Sequence, residues 1–87
     1  MKIRIKLFAS LGKYIPKGTA VGPTGNEADM VAADGATISA IIGRLDLPVE
    51  FCHLVLVNGY FIAPSERGGH VLIEGDDLAI WPPVAGG

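Results

Sequence analysis

The residues of this chain best suited to chemistry are its last six, Pro82-Pro83-Val84-Ala85-Gly86-Gly87. Two prolines fix φ and project the residues after them in an extended path, and two glycines without side chains could thread a channel too narrow for other residues. Six residues beyond Trp81 reach at most roughly 20 Å at about 3.3 Å each. We therefore predict a slim arm that delivers the terminal carboxylate of Gly87 into a partner's active site. A frayed terminus is the ordinary alternative.

Other side chains with catalytic potential are few. Cys52 and His53 are adjacent, so on a strand they would point to opposite faces and could not act together. We interpret Cys52 as a small buried apolar residue. Neither His53 nor His70 has a cysteine or carboxylate at zinc-ligand spacing, and no metal site is predicted. The sequence also lacks the glycine patterns of phosphate and dinucleotide loops, so we expect the chain to catalyse little by itself.

Length and composition narrow the function classes. The 87 residues predict one domain, and 49% hydrophobic with 18% charged residues indicates a folded core. A net charge of −2 argues against nucleic acid or a membrane surface as a partner. The single cysteine indicates a reducing compartment. Three cations interrupt the first apolar residues, and no apolar run approaches a membrane span, so we expect a cytoplasmic location.

The first elements must hold the arm in place. Residues 2–7 alternate between apolar and cationic side chains, which predicts a half-buried strand. Phe8 would project on the cationic face as an exposed aromatic ring. A short helical turn is predicted over 9–15, a loop over 16–26 and a second strand over 27–33.

One amphipathic helix follows, with Thr37 as its N-cap. Its apolar positions recur at i, i+3, i+4 and i+7, at Ile38, Ile41, Ile42 and Leu45. Residues 54–57 are apolar on both faces and predict a covered central strand. Asn58-Gly59 predicts a hairpin into residues 60–62.

The remaining segments are predicted as a short strand over 70–73, a turn at Gly75-Asp76 and a last strand over 78–81. Asp76 and Asp77 are interpreted as turn residues, with contacts to a partner's cations as the alternative. A hairpin, one helix and returning strands predict an α+β fold, with the helix packed across one face of a sheet.

These residues carry a resemblance to a known family. The segment from Gly75 to Gly87 resembles the C-terminal signature of the small subunits of molybdopterin synthase, a branch of the ubiquitin-like sulfur carriers. Leu7-Phe8-Ala9 and Val57-Asn58-Gly59 resemble the family's opening and its central hairpin. The resemblance implies a β-grasp fold over 1–81, with four to five strands on one main helix and the arm at 82–87. It also implies that the first and last strands pair in parallel at the centre.

The resemblance further implies a mechanism. An adenylating enzyme uses ATP to join AMP to the carboxylate of Gly87, and a sulfur donor converts the product to a thiocarboxylate. The arm then enters the large synthase subunit, where sulfur passes to a pterin precursor to build the dithiolene that holds molybdenum or tungsten. The chain would be a co-substrate without a bound cofactor, not a catalyst.

The resemblance also implies a docking surface, since Phe8, Phe61 and Trp81 match apolar positions that face the large subunit. Aromatic anchors are typical interface hot spots, and burial in the core is the alternative. The chain departs from the family at Gly12, where an arginine is frequent and Lys13 comes next, and in longer loops at 16–26 and 65–69.

Other functions remain open. They are sulfur carriage for thiamine, cysteine or tRNA thiolation, a ubiquitin-like modifier whose Gly87 forms an amide with a lysine, and a plain binding module. The Pro82-Pro83 step favours the molybdopterin branch.

Overall fold

The computed structural model describes residues 1–83. The predictions for Val84, Ala85, Gly86 and Gly87 therefore lie outside the described residues, and the division into 1–81 and 82–87 stays a prediction. The strands are β1 Lys2–Leu7, β2 Ala20–Val21, β3 Glu27–Val31, β4 Leu54–Val57, β5 Tyr60–Phe61 and β6 Asp77–Trp81, with helix α1 Ile38–Arg44 after β3. Three short 3-10 helices span Ala9–Tyr14, Val49–Phe51 and Pro64–Glu66.

Within residues 1–83 the strands form one mixed sheet of six, in the order β2-β3-β1-β6-β4-β5. The first and last strands pair in parallel at the centre, with Leu7 opposite Ile80, and the other pairs are antiparallel. The α+β, β-grasp prediction is confirmed. The expected four to five strands become six because a two-residue strand, β2, forms inside the predicted loop 16–26 and pairs with β3.

Helix α1 and one face of the sheet form the core. The predicted cap is present: the Thr37 hydroxyl accepts a hydrogen bond from the Ala40 amide at 3.1 Å. The helix buries Ile38, Ile41 and Ile42 against a cluster from the sheet that includes Ile3, Ile5, Leu7, Ala28, Met30, Val55, Val57, Leu78 and Ile80. Burying such a side chain stabilises the fold by about 1.5–3 kcal/mol, so the alternating apolar positions of the strands dictate which face is covered.

The Asn58-Gly59 turn is fastened to the start of the last strand. Both residues have positive φ, 51° and 85°, as a tight hairpin turn requires. The Asn58 side-chain amide donates to Asp76 Oδ1 at 2.8 Å, and its oxygen accepts from the Asp77 amide at 2.9 Å. Asp76 is buried and also accepts from the Ile73 amide at 2.9 Å. The interpretation as a turn residue is confirmed for Asp76, whereas it is wrong for Asp77, which begins β6 and pairs with Arg4 of β1.

The prediction of a strand over 70–73 is wrong. This segment makes only an isolated bridge, between Val71 and Thr37. The Leu72 amide donates to the Ala36 carbonyl at 2.9 Å, and the His70 carbonyl accepts from the Ile38 amide at 3.1 Å. The segment therefore pairs with the chain entering α1 and does not join the sheet.

The interpretation of Cys52 is confirmed: it is buried, and this burial raises the pKa of its thiol. Its neighbour Arg67 is also buried, which sequence analysis did not predict. The guanidinium donates to the backbone carbonyls of Cys52 at 2.7 Å and of His53 and Ile62 at 3.2 Å. Arg67 thus ties the chain entering β4 to the chain leaving β5.

None of the helices in the described part of the chain has the length and apolar character needed to span a membrane. Across residues 1–83, no three or more His, Cys, Asp and Glu side chains are grouped to hold a metal ion.

Candidate docking face beside the C-terminal arm

The sheet has one face covered by α1 and a second face, here called the open face, that points away from the helix. Because side chains alternate along a strand, the open face takes the outward positions of β1, β3, β4, β5 and β6. These positions divide into two halves of opposite character, separated by the ion pair between Lys6 of β1 and Asp77 of β6, whose Nζ and Oδ2 lie 3.6 Å apart.

The polar half lies on β1 and β3. Arg4 Nε contacts Asp29 Oδ1 at 2.7 Å, and Arg4 Nη1 contacts Glu27 Oε1 at 3.2 Å. Lys2 Nζ lies 3.9 Å from Asp29 Oδ2. The hydrogen bond from Arg4 holds the pKa of the Asp29 carboxyl below its usual value. The cationic face predicted from the sequence is therefore neutralised by carboxylates of neighbouring strands.

The apolar half lies on β6, β4 and β5. Trp81 is opposite Leu54, and Leu56 lies between Ala79 on one side and Phe61 on the other. Leu54, Leu56 and Trp81 are half-buried, and Phe61 is 57% exposed. Among the described outward residues of these strands, Asp77 at the start of β6 is polar, and it pairs with Lys6 at the border with the other half.

The aromatic residues at the end of β1 and β6 stack on each other. The ring centroids of Phe8 and Trp81 are 4.2 Å apart, and the ring planes differ by 4°. The Phe8 amide donates to the Ile80 carbonyl at 3.0 Å, which extends the parallel ladder. Ala9 then takes a φ of 52°, which costs a non-glycine residue about 1 kcal/mol, and turns the chain away. Phe8 is consequently half-buried rather than the exposed ring expected from the sequence.

The ladder ends where the predicted arm begins. The Trp81 carbonyl still accepts from the His53 amide at 3.0 Å. Pro82 and Pro83 follow, and neither has an amide proton to continue the pairing. The last strand is thus fastened through Trp81, and residues 82 and 83 leave it beside the Phe8–Trp81 stack.

The structure brings the three predicted docking residues, Phe8, Phe61 and Trp81, onto one face. Sequence analysis missed Leu54 and Leu56, since four consecutive apolar residues predict a strand covered on both faces. That prediction is wrong for the open face, where the outward leucines are half-buried by their neighbours alone. The sequence offered one signal for the open face. Phe61, a predicted docking residue, pairs with Leu56 across the hairpin, so Leu56 lies on the same face.

Lys13 follows Gly12, the position at which the family frequently has arginine. Both lie in the 3-10 helix over 9–14. The Lys13 ammonium lies 5.5 Å from the centroid of the Tyr14 ring, within the range of a cation–π contact. Among the described residues, Lys13 therefore has a neighbouring aromatic ring as its contact rather than a carboxylate.

Comparison with known proteins decides the family. The ThiS family model matches residues 18–87, which is most of the chain and includes the last strand and the segment after it. The chain belongs to the ThiS family. The resemblance to ubiquitin-like sulfur carriers, found in the sequence, is thereby confirmed at the level of the family.

Two relatives support this placement over the full length of the chain. The molybdopterin synthase sulfur carrier subunit of Escherichia coli (strain K12) is 28% identical over 89 residues, covering 98% of this chain and 99% of the relative. The crystal structure of SAMP1 from Haloferax volcanii superposes with a TM-score of 0.64 at 25% identity, covering all of both chains. The β-grasp topology of this ThiS-family chain therefore recurs in a solved structure of the same extent.

Proposed function

We propose that this chain is the sulfur carrier subunit of a molybdopterin synthase and carries sulfur as a thiocarboxylate on Gly87. The observation that carries the proposal is the end of β6. Trp81 is held by hydrogen bonding to the chain before β4 and stacks on Phe8, and the apolar half of the open face lies at the point where the arm departs. The full-length similarity to a molybdopterin synthase sulfur carrier subunit supports the choice of pathway.

Activation of Gly87 follows from the chemistry of carboxylates. A carboxylate is a poor electrophile, so an adenylating enzyme joins it to AMP from ATP, with pyrophosphate as the leaving group. Hydrosulfide, released by a sulfur donor, then attacks the acyl carbon and loses its proton, and AMP departs to leave the thiocarboxylate. The carrier supplies no catalytic side chain to these steps. Its contribution is to present the carboxylate and to dock.

Docking uses the apolar half of the open face in this proposal. Phe8, Phe61 and Trp81 are its aromatic anchors, and Leu54 and Leu56 fill the space between them. When the large synthase subunit covers this half, the arm of residues 82–87 enters its active site, where the sulfur is transferred to the pterin precursor. Buried aromatic anchors of this kind supply most of the affinity in typical interfaces.

The experiment is mass spectrometry of the intact chain purified from its native host. The proposal expects a fraction in which one oxygen has been exchanged for sulfur, at the C-terminal residue. Deleting Gly87 should abolish this sulfur-bearing fraction and leave the thermal midpoint unchanged. The control variant Val31→Ser replaces an exposed apolar residue of β3 and should retain the sulfur-bearing fraction. Val31 is 70% exposed, so this control leaves the core intact.

Two results would contradict the proposal. A ladder of conjugates on a denaturing gel, lost on deletion of Gly87, without any sulfur-bearing fraction, would assign the chain to the ubiquitin-like modifiers. A sulfur-bearing chain that fails to restore dithiolene formation with the large subunit would assign it to another thiolation pathway.

A further inference from the structure

A second group of exposed apolar side chains lies at the opposite end of β6 from the arm. It consists of Tyr60, Val71 and Ile73, here called the distal patch, with exposures of 77%, 50% and 66%. The three side chains line one open groove of about 330 Å³, beside Asn58 and Asp76. None of these residues belongs to the docking face described above.

The sheet register separates the distal patch from the docking face. Tyr60 pairs with Val57, which points to the helix side, whereas the next residue, Phe61, pairs with Leu56 on the open face. Along β6, the four residue steps from Asp77 to Trp81 span about 13 Å. Tyr60 and Phe61 are consecutive in β5, but their side chains therefore lie on opposite faces of the sheet.

Backbone pairing and a buried neighbour hold the distal patch in position. Leu72 is buried at 1% exposure, and its amide donates to the Ala36 carbonyl. Val71 and Ile73, on either side of Leu72, consequently point outward. The Ile73 amide is fixed by the Asp76 carboxylate at 2.9 Å. The exposure of this patch is thus built into the fold.

Carboxylates outnumber cations beside the distal patch. Asp34 and Glu74 line an adjoining groove together with Val71 and Ile73, and Glu66 lines the next one. Within residues 1–83, no lysine or arginine lines any of these three grooves, and the terminal ammonium of Met1, in the groove with Asp34, is the cation present. The Asp34 side chain is 95% exposed, and its contact is with the terminal amino group at 3.3 Å. An apolar surface with an acidic rim complements a basic, apolar partner.

We propose that the distal patch is a second docking surface, which binds a protein segment whose apolar side chains are flanked by lysine or arginine. The apolar residues of that segment cover Tyr60, Val71 and Ile73, and its cations face Asp34, Glu66 and Glu74. Because the patch lies at the other end of β6 from Pro82, it would stay accessible if, as the proposed function requires, Gly87 enters another protein. The carrier can then be held by one protein while a second acts on its C-terminus.

The test is selection of a phage-displayed library of random peptides on the immobilised full chain. The recovered peptides should combine apolar residues with lysine or arginine. Tyr60→Ser and Ile73→Ser should each weaken their binding about tenfold or more in calorimetry, as loss of an interface anchor does. Raising the salt concentration should also weaken binding. Val31→Ser, which changes an exposed apolar residue outside the distal patch, should leave the affinity unchanged.

Three results would overturn this assignment. They are recovery of no peptide, recovery of peptides without basic residues, and loss of binding by Trp81→Lys in place of the patch variants. Concentration-dependent dimers in sedimentation, abolished by Tyr60→Ser, would identify a second copy of the chain as the occupant and would also reject it. The chain without Gly87 should retain binding, so failure of sulfur loading and failure of this surface are distinguishable.

Discussion

The two halves of the open face belong to one sheet and follow the same alternation of side chains, yet their outward side chains find different partners. On β1 and β3 the charged side chains find their partners within the chain, as Arg4 does with Asp29. On β6, β4 and β5 the outward residues are aromatic or aliphatic, and Phe61 stays more than half exposed. Exposed ion pairs contribute little to stability. Covering contiguous apolar surface with a partner, by contrast, lowers the free energy and favours binding. The difference supports the proposal that the apolar half is the surface covered by a second protein.

The largest expected effect is that of Trp81→Lys. A lysine at the centre of the apolar half removes the stack on Phe8 and places a charge under the partner, so affinity for a molybdopterin synthase large subunit should fall about a hundredfold. Isothermal titration calorimetry measures this. Arg4→Met, on the polar half, is the matched control and should change the affinity less than about threefold. Equal losses from both variants would remove the distinction between the halves.

A smaller effect should separate two neighbours in the sequence. Phe61→Ser should weaken binding of the large subunit about tenfold, because Phe61 lies beside Leu56 on the apolar half. Tyr60→Ser should leave that affinity unchanged, because its side chain belongs to the other side of the sheet. The same calorimetric titration decides between them. A loss with Tyr60→Ser as large as that with Phe61→Ser would show that the partner wraps around the edge of β5.

The smallest effect concerns the polar half and its dependence on pH. The pKa of Asp29 is lowered in the folded chain, chiefly by its hydrogen bond from Arg4. Its contribution to stability is therefore fully present above the ordinary pKa of about 3.9 and is lost as pH falls through the lowered value. Asp29→Asn should slightly reduce the urea midpoint at pH 7 and flatten its decline below about pH 4. Binding of the large subunit should not change, and a marked loss would place Asp29 in the interface.

Much of the fold follows from local patterns. Three patterns each predict one element with no competing interpretation. They are the alternation of residues 2–7, the Thr37 cap with its apolar helical spacing, and the Asn58-Gly59 turn. The parallel pairing of the first and last strands followed from the family resemblance, since the residues alone do not state which strands are neighbours. The predicted strand over 70–73 failed because its β-branched residues indicate an extended chain, and extended chain can pair with a helix entrance as well as with a sheet.

The aromatic anchors of the candidate site could be predicted from the sequence, but the full set of residues on this face could not. Aromatic residues at 8, 61 and 81 were found, but the outward leucines of β4 were assigned to a covered strand because a run of four apolar residues does not reveal which face is open. Arg67 was missed for a related reason. A single arginine in a loop rich in glycine gives no sign that backbone carbonyls of Cys52, His53 and Ile62 will converge on it.

The central place of β6 in the sheet has a mechanical consequence. The strand that leads to the C-terminus is flanked by β1 on one side and β4 on the other. If the terminal residues are withdrawn from a partner as proposed, the force acts along the axis of this strand, so the backbone hydrogen bonds on its two edges share the load. An end attached to a peripheral strand could be peeled off one bond at a time. If the terminus is inserted and extracted as proposed, the position of β6 would let this happen repeatedly without unfolding the domain.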